Sequence, residues 1–323
     1  MADCARRGFR LDRPAARLVL ETHARSFLTG FNLALAHQRD VHDALDTVPA
    51  QERGFAYEGA GMYARLLDIG TLGRAGALSR LLAGRGRGYV HLVHVGTGWG
   101  LTPTGLPIRI RPPRTPLLRW LALDGAGFGE TYFGGVPALR RTAGRSAGRT
   151  ASRSTGRTAG RTAGRGAGTP APDTEPPSVL RWQTRLSGCG RALWFVESAD
   201  TDGIAERIAE QPSHAQPWLW SGVGLAAGYA GATSADELRR LADRAGGAFP
   251  FFAQGVVFAG AARTTSGVVP PHTELACRTV LDIDPDVAQA WSDTAAQGLT
   301  DSPDVAAYAQ WRARLRACVA AST

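Results

Sequence analysis

The chain has 323 residues, 44% hydrophobic and 20% charged, which excludes wholesale disorder, a collagen-like chain and a disulfide scaffold. All 37 basic residues are arginine against 28 acidic ones, a formal charge of +9. Eight of those arginines (Arg140, Arg141, Arg145, Arg149, Arg153, Arg157, Arg161 and Arg165) lie in one segment with no acidic residue. The rest of the chain is therefore close to neutral, and no specific nucleic-acid face is expected. Cys4, Cys189, Cys277 and Cys318 form no CxxC pair, which suits free thiols in a reduced, cytoplasmic setting. The first residues carry scattered arginines rather than an apolar run, so no signal peptide is expected. The longest apolar stretches, 218–232 and 248–262, are shorter than the roughly 20 residues of a bilayer span and read as buried helices, so no transmembrane segment is expected.

In chain order, the first helical stripe is Leu20, Ala24, Phe27, Phe31 and Leu35. Residues 89–95 and 193–196 are short β-prone runs that fit a buried strand or a buried helix equally. From Thr142 to Arg165 the chain repeats TAGR-like units of small residues and arginine, and 169–177 is rich in proline. The span 138–177 therefore reads as a disordered linker between an N-terminal half (1–137) and a C-terminal half (178–323). Ser234 and Glu237 form a capping box, with Gly246 as a helix stop. Asp284-Pro285 opens another helix. Ser302 and Pro303 open the last one, whose stripe is Val305, Tyr308, Trp311, Leu315 and Cys318. The two halves look related: Glu58-Gly59-Ala60-Gly61-Met62 has a counterpart in Ser221-Gly222-Val223-Gly224-Leu225, with an aromatic upstream and a glycine downstream of each. The expected fold is mainly α, a helical globular protein of two related halves joined by a long Arg-rich loop.

No P-loop, HExxH, GxSxG or paired-acid diphosphate motif occurs, so ordinary kinase, dehydrogenase, serine hydrolase and ionising cyclase chemistry is not indicated. What stands out is a set of polar residues among apolar and aromatic neighbours. Glu58 lies in a glycine-rich helix, where it either joins an ion-pair face with Arg65 and Asp68 or serves a ligand. His91 and His94 are either core residues, a metal pair or, for His94, a ligand contact. Asp124 and Glu130 flank Gly125-Ala-Gly127-Phe128-Gly129. Glu197 ends a buried run at a helix boundary. His272 and Glu274 fit either a helix start with Thr273 as its cap and an i,i+4 pair to Arg278, or an acid/base pair. The candidate catalytic set is Glu58, His94, Asp124, Glu197, His272 and Glu274. The candidate apolar wall is Trp99, Trp120, Phe128, Trp194 and Trp220. No metal site is assigned, and the sequence names no cofactor.

Several strings, in order, resemble a known bacterial family. They are Phe27-Leu-x-Gly30-Phe-Asn32, Glu52-Arg-Gly-Phe-Ala-Tyr-Glu-Gly59 and Val93-His-Val-Gly96-x-Gly-Trp99. Next come Leu117-Leu-Arg-Trp-Leu-Ala-Leu-Asp-Gly125 and Leu193-Trp-Phe-Val-Glu197. The last are Leu219-Trp-Ser-Gly-Val-Gly-Leu-Ala226 and Pro271-His-Thr-Glu-Leu-Ala-Cys277. Together they resemble the UnbL-type enediyne biosynthesis protein family, a domain of unknown function. The resemblance implies an accessory role beside a polyketide synthase in actinobacterial specialised metabolism, with no fold, cofactor or catalytic list attached. The expected function is the processing of a hydrophobic polyene intermediate by acid/base chemistry: isomerisation, cyclisation or desaturation. The alternative is a non-catalytic binding or scaffold protein that shields the intermediate or docks a membrane, redox or other pathway protein.

Overall fold

A computed structural model describes residues 3–99, 115–145 and 175–322, and among them no strand occurs. The N-terminal half is built from α1 (Pro14–Ala36), α2 (Val41–Asp46), α3 (Arg53–Gly70), α4 (Ala77–Leu81), α5 (Val90–Trp99) and α6 (Leu121–Ala143). The C-terminal half begins with α7 (Pro177–Val196), α8 (Thr201–Ala209), α9 (Gln216–Ala230) and α10 (Ala235–Ala245). It ends with α11 (Phe249–Ser266), α12 (Pro271–Leu281), α13 (Pro285–Ala296) and α14 (Val305–Ser322). Both runs left open between strand and helix are helical, in and before α5 and at the end of α7. α6 is broken at Gly135 (φ 61°, ψ −160°), a backbone that glycine tolerates, just before Pro137, which has no N–H to give. Helix resumes to Ala143, beyond the expected boundary at 137, and the repeat after Arg145 lies outside the described residues.

Glycine decides how the helices meet. α3, α5, α6, α7 and α9 each carry two glycines one residue apart: Gly59/Gly61, Gly96/Gly98, Gly125/Gly127, Gly188/Gly190 and Gly222/Gly224. At about 100° per residue, such a pair looks sideways in nearly opposite directions. The first glycine meets the preceding helix of the series and the second meets the next, with Gly30 of α1 and Gly255 of α11 closing the two ends. The contacts are reciprocal. Gly59 lies against the Phe27 carbonyl and Gly30 against that of Ala56; Gly190 lies against the Leu219 carbonyl and Gly222 against that of Ser187. In each case the carbonyl belongs to the turn just before the facing glycine. A Cβ at these positions would stand 1.8–2.5 Å from a backbone oxygen. The helices thus touch backbone to backbone, at a distance where Cα–H···O contacts form. The Glu58–Gly61 and Ser221–Gly224 likeness between the halves is one instance of a repeat that runs helix by helix.

The remaining helices cover this series, and α13 and α14 close its inner side through Ser292, Tyr308, Trp311 and Arg312. One hydrophobic cluster draws on both halves, joining Phe27, Phe55, Trp99 and Phe128 to Trp194, Val223 and Val256. The expected Ser234–Glu237 capping box forms, with Gly246 ending α10, and Pro285 sits in the first turn of α13. The last helix starts later than expected: Asp304, not Ser302, accepts from the Ala306 N–H at 3.1 Å and so caps α14. The first stripe holds at Leu20 and Phe27, but Leu35 is 52% exposed because α1 is an edge helix whose last turn has no neighbour there. Among the described residues one stretch is long and apolar enough for a membrane span, Ala235–Ser266, and 61% of its apolar window is buried inside the fold. It comprises α10 and α11 and belongs to the core.

Gly222→Ala is expected to destabilise the protein by roughly 3 kcal/mol or more, because the added methyl forces two backbones apart. Gly70→Ala, where a Cβ meets nothing within 4 Å, is expected to range from neutral to about 1 kcal/mol stabilising. Urea-unfolding midpoints of the two variants check the contrast.

Candidate functional site

The same register aims side chains inward. The residue just before each glycine pair lies between the two glycines on the helix wheel, and so faces the hollow of the series. Those residues are Glu58, Val95, Asp124, Ser187 and Ser221, and Gln254 stands in the same place before Gly255. All but Glu58 line a largely enclosed central cavity of about 60 Å³. Glu58 lines a neighbouring cavity of about 40 Å³, walled by Phe27, Trp99, Tyr132 and Phe195. Phe55, Phe128, Arg191 and Phe195 border both.

Arg191 on α7 is the hinge between the two. Its Nε stands 2.7 Å from Asp124 Oδ1 and its Nη2 stands 3.8 Å from Glu58 Oε1. These are ion-pair contacts: Arg191 Nε, Arg191 Nη2 and Asp124 Oδ1 form no directed hydrogen bond. Trp99 Nε1 donates to Glu58 Oε1 at 2.9 Å. The guanidinium carbon of Arg191 lies 4.8 Å from the centre of the Phe128 ring. All three charged groups are buried: Glu58 4%, Asp124 2% and Arg191 8% exposed. On the far wall Gln254 Nε2 donates to Ser221 Oγ at 3.1 Å, and Arg316 Nη1 donates to Gln254 Oε1 at 2.7 Å.

Burial pushes the Glu58 carboxyl above its usual range; Arg191 and the Trp99 hydrogen bond oppose this, and Asp124 adds to it. Burial raises Asp124 too, against Arg191, Ser187 and the more distant Arg312. A guanidinium stays charged and balances one carboxylate, not two. The pair therefore titrates as a unit and keeps a proton above the ordinary carboxylate range. This sets an acid and a base against one guanidinium in a buried, ring-lined space, an arrangement suited to moving protons. His91, whose Nδ1 is buried without a partner, also lines the central cavity; burial pushes it down to about 4, so it is neutral.

Of the candidate catalytic residues, the structure brings Glu58 and Asp124 together and leaves the others elsewhere. Glu58 turns to Arg191 rather than to Arg65 and Asp68; the Asp68 carboxylate instead accepts from the Ala77 and Leu78 N–H groups at the start of α4. His94, pushed down to about 3 by burial and by His91, pairs through Nε2 with Thr115 Oγ1. No cluster of three or more His, Cys, Asp or Glu forms among the described residues, so no third ligand joins His91 and His94. Glu197 closes α7 and is held by Arg207 at 2.9 Å and Arg10 at 3.7 Å. His272 Nε2 meets the Tyr229 carbonyl at 3.0 Å, Thr273 Oγ1 donates to the Gly228 carbonyl at 2.8 Å, and Glu274 is exposed. The string at 270–274 thus satisfies the open carbonyls at the end of α9. Thr273 is not a helix cap, and Arg278 pairs with Asp284 at 2.8 Å rather than with Glu274.

Of the candidate wall, Trp99 and Phe128 line the cavities. Trp194 is a fully buried core residue whose Nε1 donates to the Gly231 carbonyl at 3.0 Å, Trp220 packs against Phe252, and Trp120 lies under Arg119 and Arg181. Sequence reasoning missed Arg191, Ser187, Gln254, Tyr229 and Arg312. The first three carried a signal: Ser187 and Gln254 precede register glycines, and Arg191 follows Gly190 directly.

A carboxyl raised in the folded state favours folding below its unfolded pKa, and that contribution is lost as pH climbs through the folded value. The contribution of this pair is therefore expected to shrink as pH rises above the ordinary carboxylate range, so that the wild type loses more stability over that rise than Glu58→Gln does. Arg191→Met is expected to cost about 3–5 kcal/mol at neutral pH and to recover part of it in acid, where both carboxyls are neutral. Urea titrations at several pH values read both effects.

The family model described as Protein of unknown function (DUF1702) matches residues 1–151 and 181–319 and passes over 152–180, where much of the arginine repeat lies. No curated protein and no solved structure matches the chain. With the match spanning both helical halves, the chain belongs to the DUF1702 family.

Proposed function

We propose that this protein moves protons on a hydrophobic, unsaturated intermediate held in the hollow of its helices. The setting is an accessory step of enediyne or related polyketide metabolism in the cytoplasm. The observation that supports the chemistry is one guanidinium shared by two desolvated carboxyls beside an aromatic-walled cavity. The family strings quoted above support the pathway, and four free cysteines support the compartment.

In this reading the protonated member of the Glu58–Asp124 pair delivers its proton to an alkene carbon. The positive charge that develops lies against the faces of Trp99, Phe128 and Phe195, which stabilise it. The ionised member then takes a proton from a neighbouring carbon. The double bond has moved, or a ring has closed through the cation, and no electrons are gained or lost. Arg191 holds the two carboxyls apart in charge state, so that one acts as acid and one as base. The central cavity has room for only a few waters, so a chain of polyene length enters as the helices part.

A second reading, a protein that binds and shields the intermediate without converting it, draws support from this tight enclosure. One experiment separates them. Purified protein is incubated with a conjugated polyene and its absorbance is followed, alongside Glu58→Gln and Asp124→Asn. The proposal expects a spectral change with the wild type and a loss of about 100-fold or more in rate with either variant. Binding of the polyene without any change, equal in all three proteins, overturns the enzymatic reading in favour of shielding.

A further inference from the structure

Arg191 stands against both Glu58 and Asp124, whereas a second arginine of the hollow, Arg312, has no carboxylate beside it among the described residues. It is 3% exposed, lines the central cavity, and has no ion pair within 4 Å among the described residues. Its guanidinium carbon lies 4.6 Å from the centre of the Trp218 ring and 5.8 Å from that of Tyr308. Its Nη2 is buried with no hydrogen-bond partner. Arg191 Nη2, on the wall of the same cavity, also lacks a hydrogen bond, with Glu58 Oε1 3.8 Å away. Arg316, one turn on, is committed to Gln254. Buried donors left open and a buried cation left unneutralised are each costly, and an incoming anion satisfies both.

We propose that Arg312 is the anchor for a carboxylate on the substrate, so that the ligand class is an unsaturated carboxylic acid rather than a neutral hydrocarbon. The inference rests on the hollow being a ligand site, as argued above, and adds which end of the ligand goes where. The guanidinium fork offers paired N–H groups to a carboxylate, the strong form of such a contact. The unsaturated chain then runs from Arg312 past Phe128 toward Glu58 and Trp99.

The test uses the purified full chain and two small probes: sorbate (hexa-2,4-dienoate) and the matching alcohol, hexa-2,4-dien-1-ol. Binding is read by calorimetry and by the rise in melting temperature. Sorbate is expected to bind about tenfold or more tighter than the alcohol. Arg312→Met is expected to erase that preference while still binding the alcohol, and Arg312→Lys to keep part of it. Should Arg312→Met fail to fold, the wild-type acid-to-alcohol ratio and the lysine variant decide. Equal affinity for acid and alcohol, no sorbate binding at millimolar concentration, or an unchanged ratio in the lysine variant and the methionine variant overturns the proposal. So does displacement of sorbate by inorganic phosphate, which would make the site a general anion site. The readout needs no turnover. Arg312-dependent binding in a protein that converts no polyene refutes the proton-transfer reading alone; conversion without that dependence refutes this one alone.

Discussion

Everything in this molecule depends on helices touching at their backbones. Where glycine faces glycine, a carbonyl of one helix occupies the space that a side chain would need on the other. Ordinary helix packing interposes side chains and leaves axes well apart. Removing them at each interface of the series α1, α3, α5, α6, α7, α9 and α11 draws it tight and fixes the rotation of each helix about its axis. That rotation matters more than the closeness. Once two glycines look sideways to the two neighbours, the residue before them has one direction left, and it is inward.

This explains how a chain without a familiar catalytic motif gathers charge in its centre. Glu58 and Asp124 are not neighbours in sequence and lie on different helices, yet occupy the same position relative to their glycine pairs. Arg191, one residue past Gly190, enters between them from α7. Desolvating two carboxyls beside one guanidinium costs stability, and nothing in packing alone asks for it; a fully apolar lining would serve a structural core better. The glycine contacts carry the scaffold, and the interior is free to hold groups that are poor for folding and useful for chemistry.

The helical class, the two halves, the α10 capping box and the Asp284-Pro285 start are all legible in the sequence, because each depends on local chemistry. The β-prone runs at 89–95 and 193–196 mislead because residues buried on all sides lose their periodic pattern. Glu58, Asp124, Trp99 and Phe128 are visible as polar or aromatic residues in glycine-rich strings. His272 and Glu274 look equally promising for a different reason: the end of α9 needs donors, and the string that supplies them resembles a site. Arg191 stays hidden since Glu58 and Asp124 come from other helices, and Arg312 since the hollow that it lines is assembled from the whole series. The glycine repeat itself was readable in two of its copies, and the remaining copies gain meaning only when the facing carbonyls are seen.

The central claim is that the glycine register holds Glu58 and Asp124 as one buried pair that keeps a proton above the ordinary carboxylate range. Infrared spectroscopy of the purified protein in heavy water, with carbon-13 in its Asp and Glu side chains, reports this directly. The account predicts a neutral-carboxyl C=O band that persists above the ordinary carboxylate range and vanishes when Glu58→Gln and Asp124→Asn are combined. A band that disappears as pH rises through the ordinary carboxylate range, or one that survives the double replacement, contradicts it.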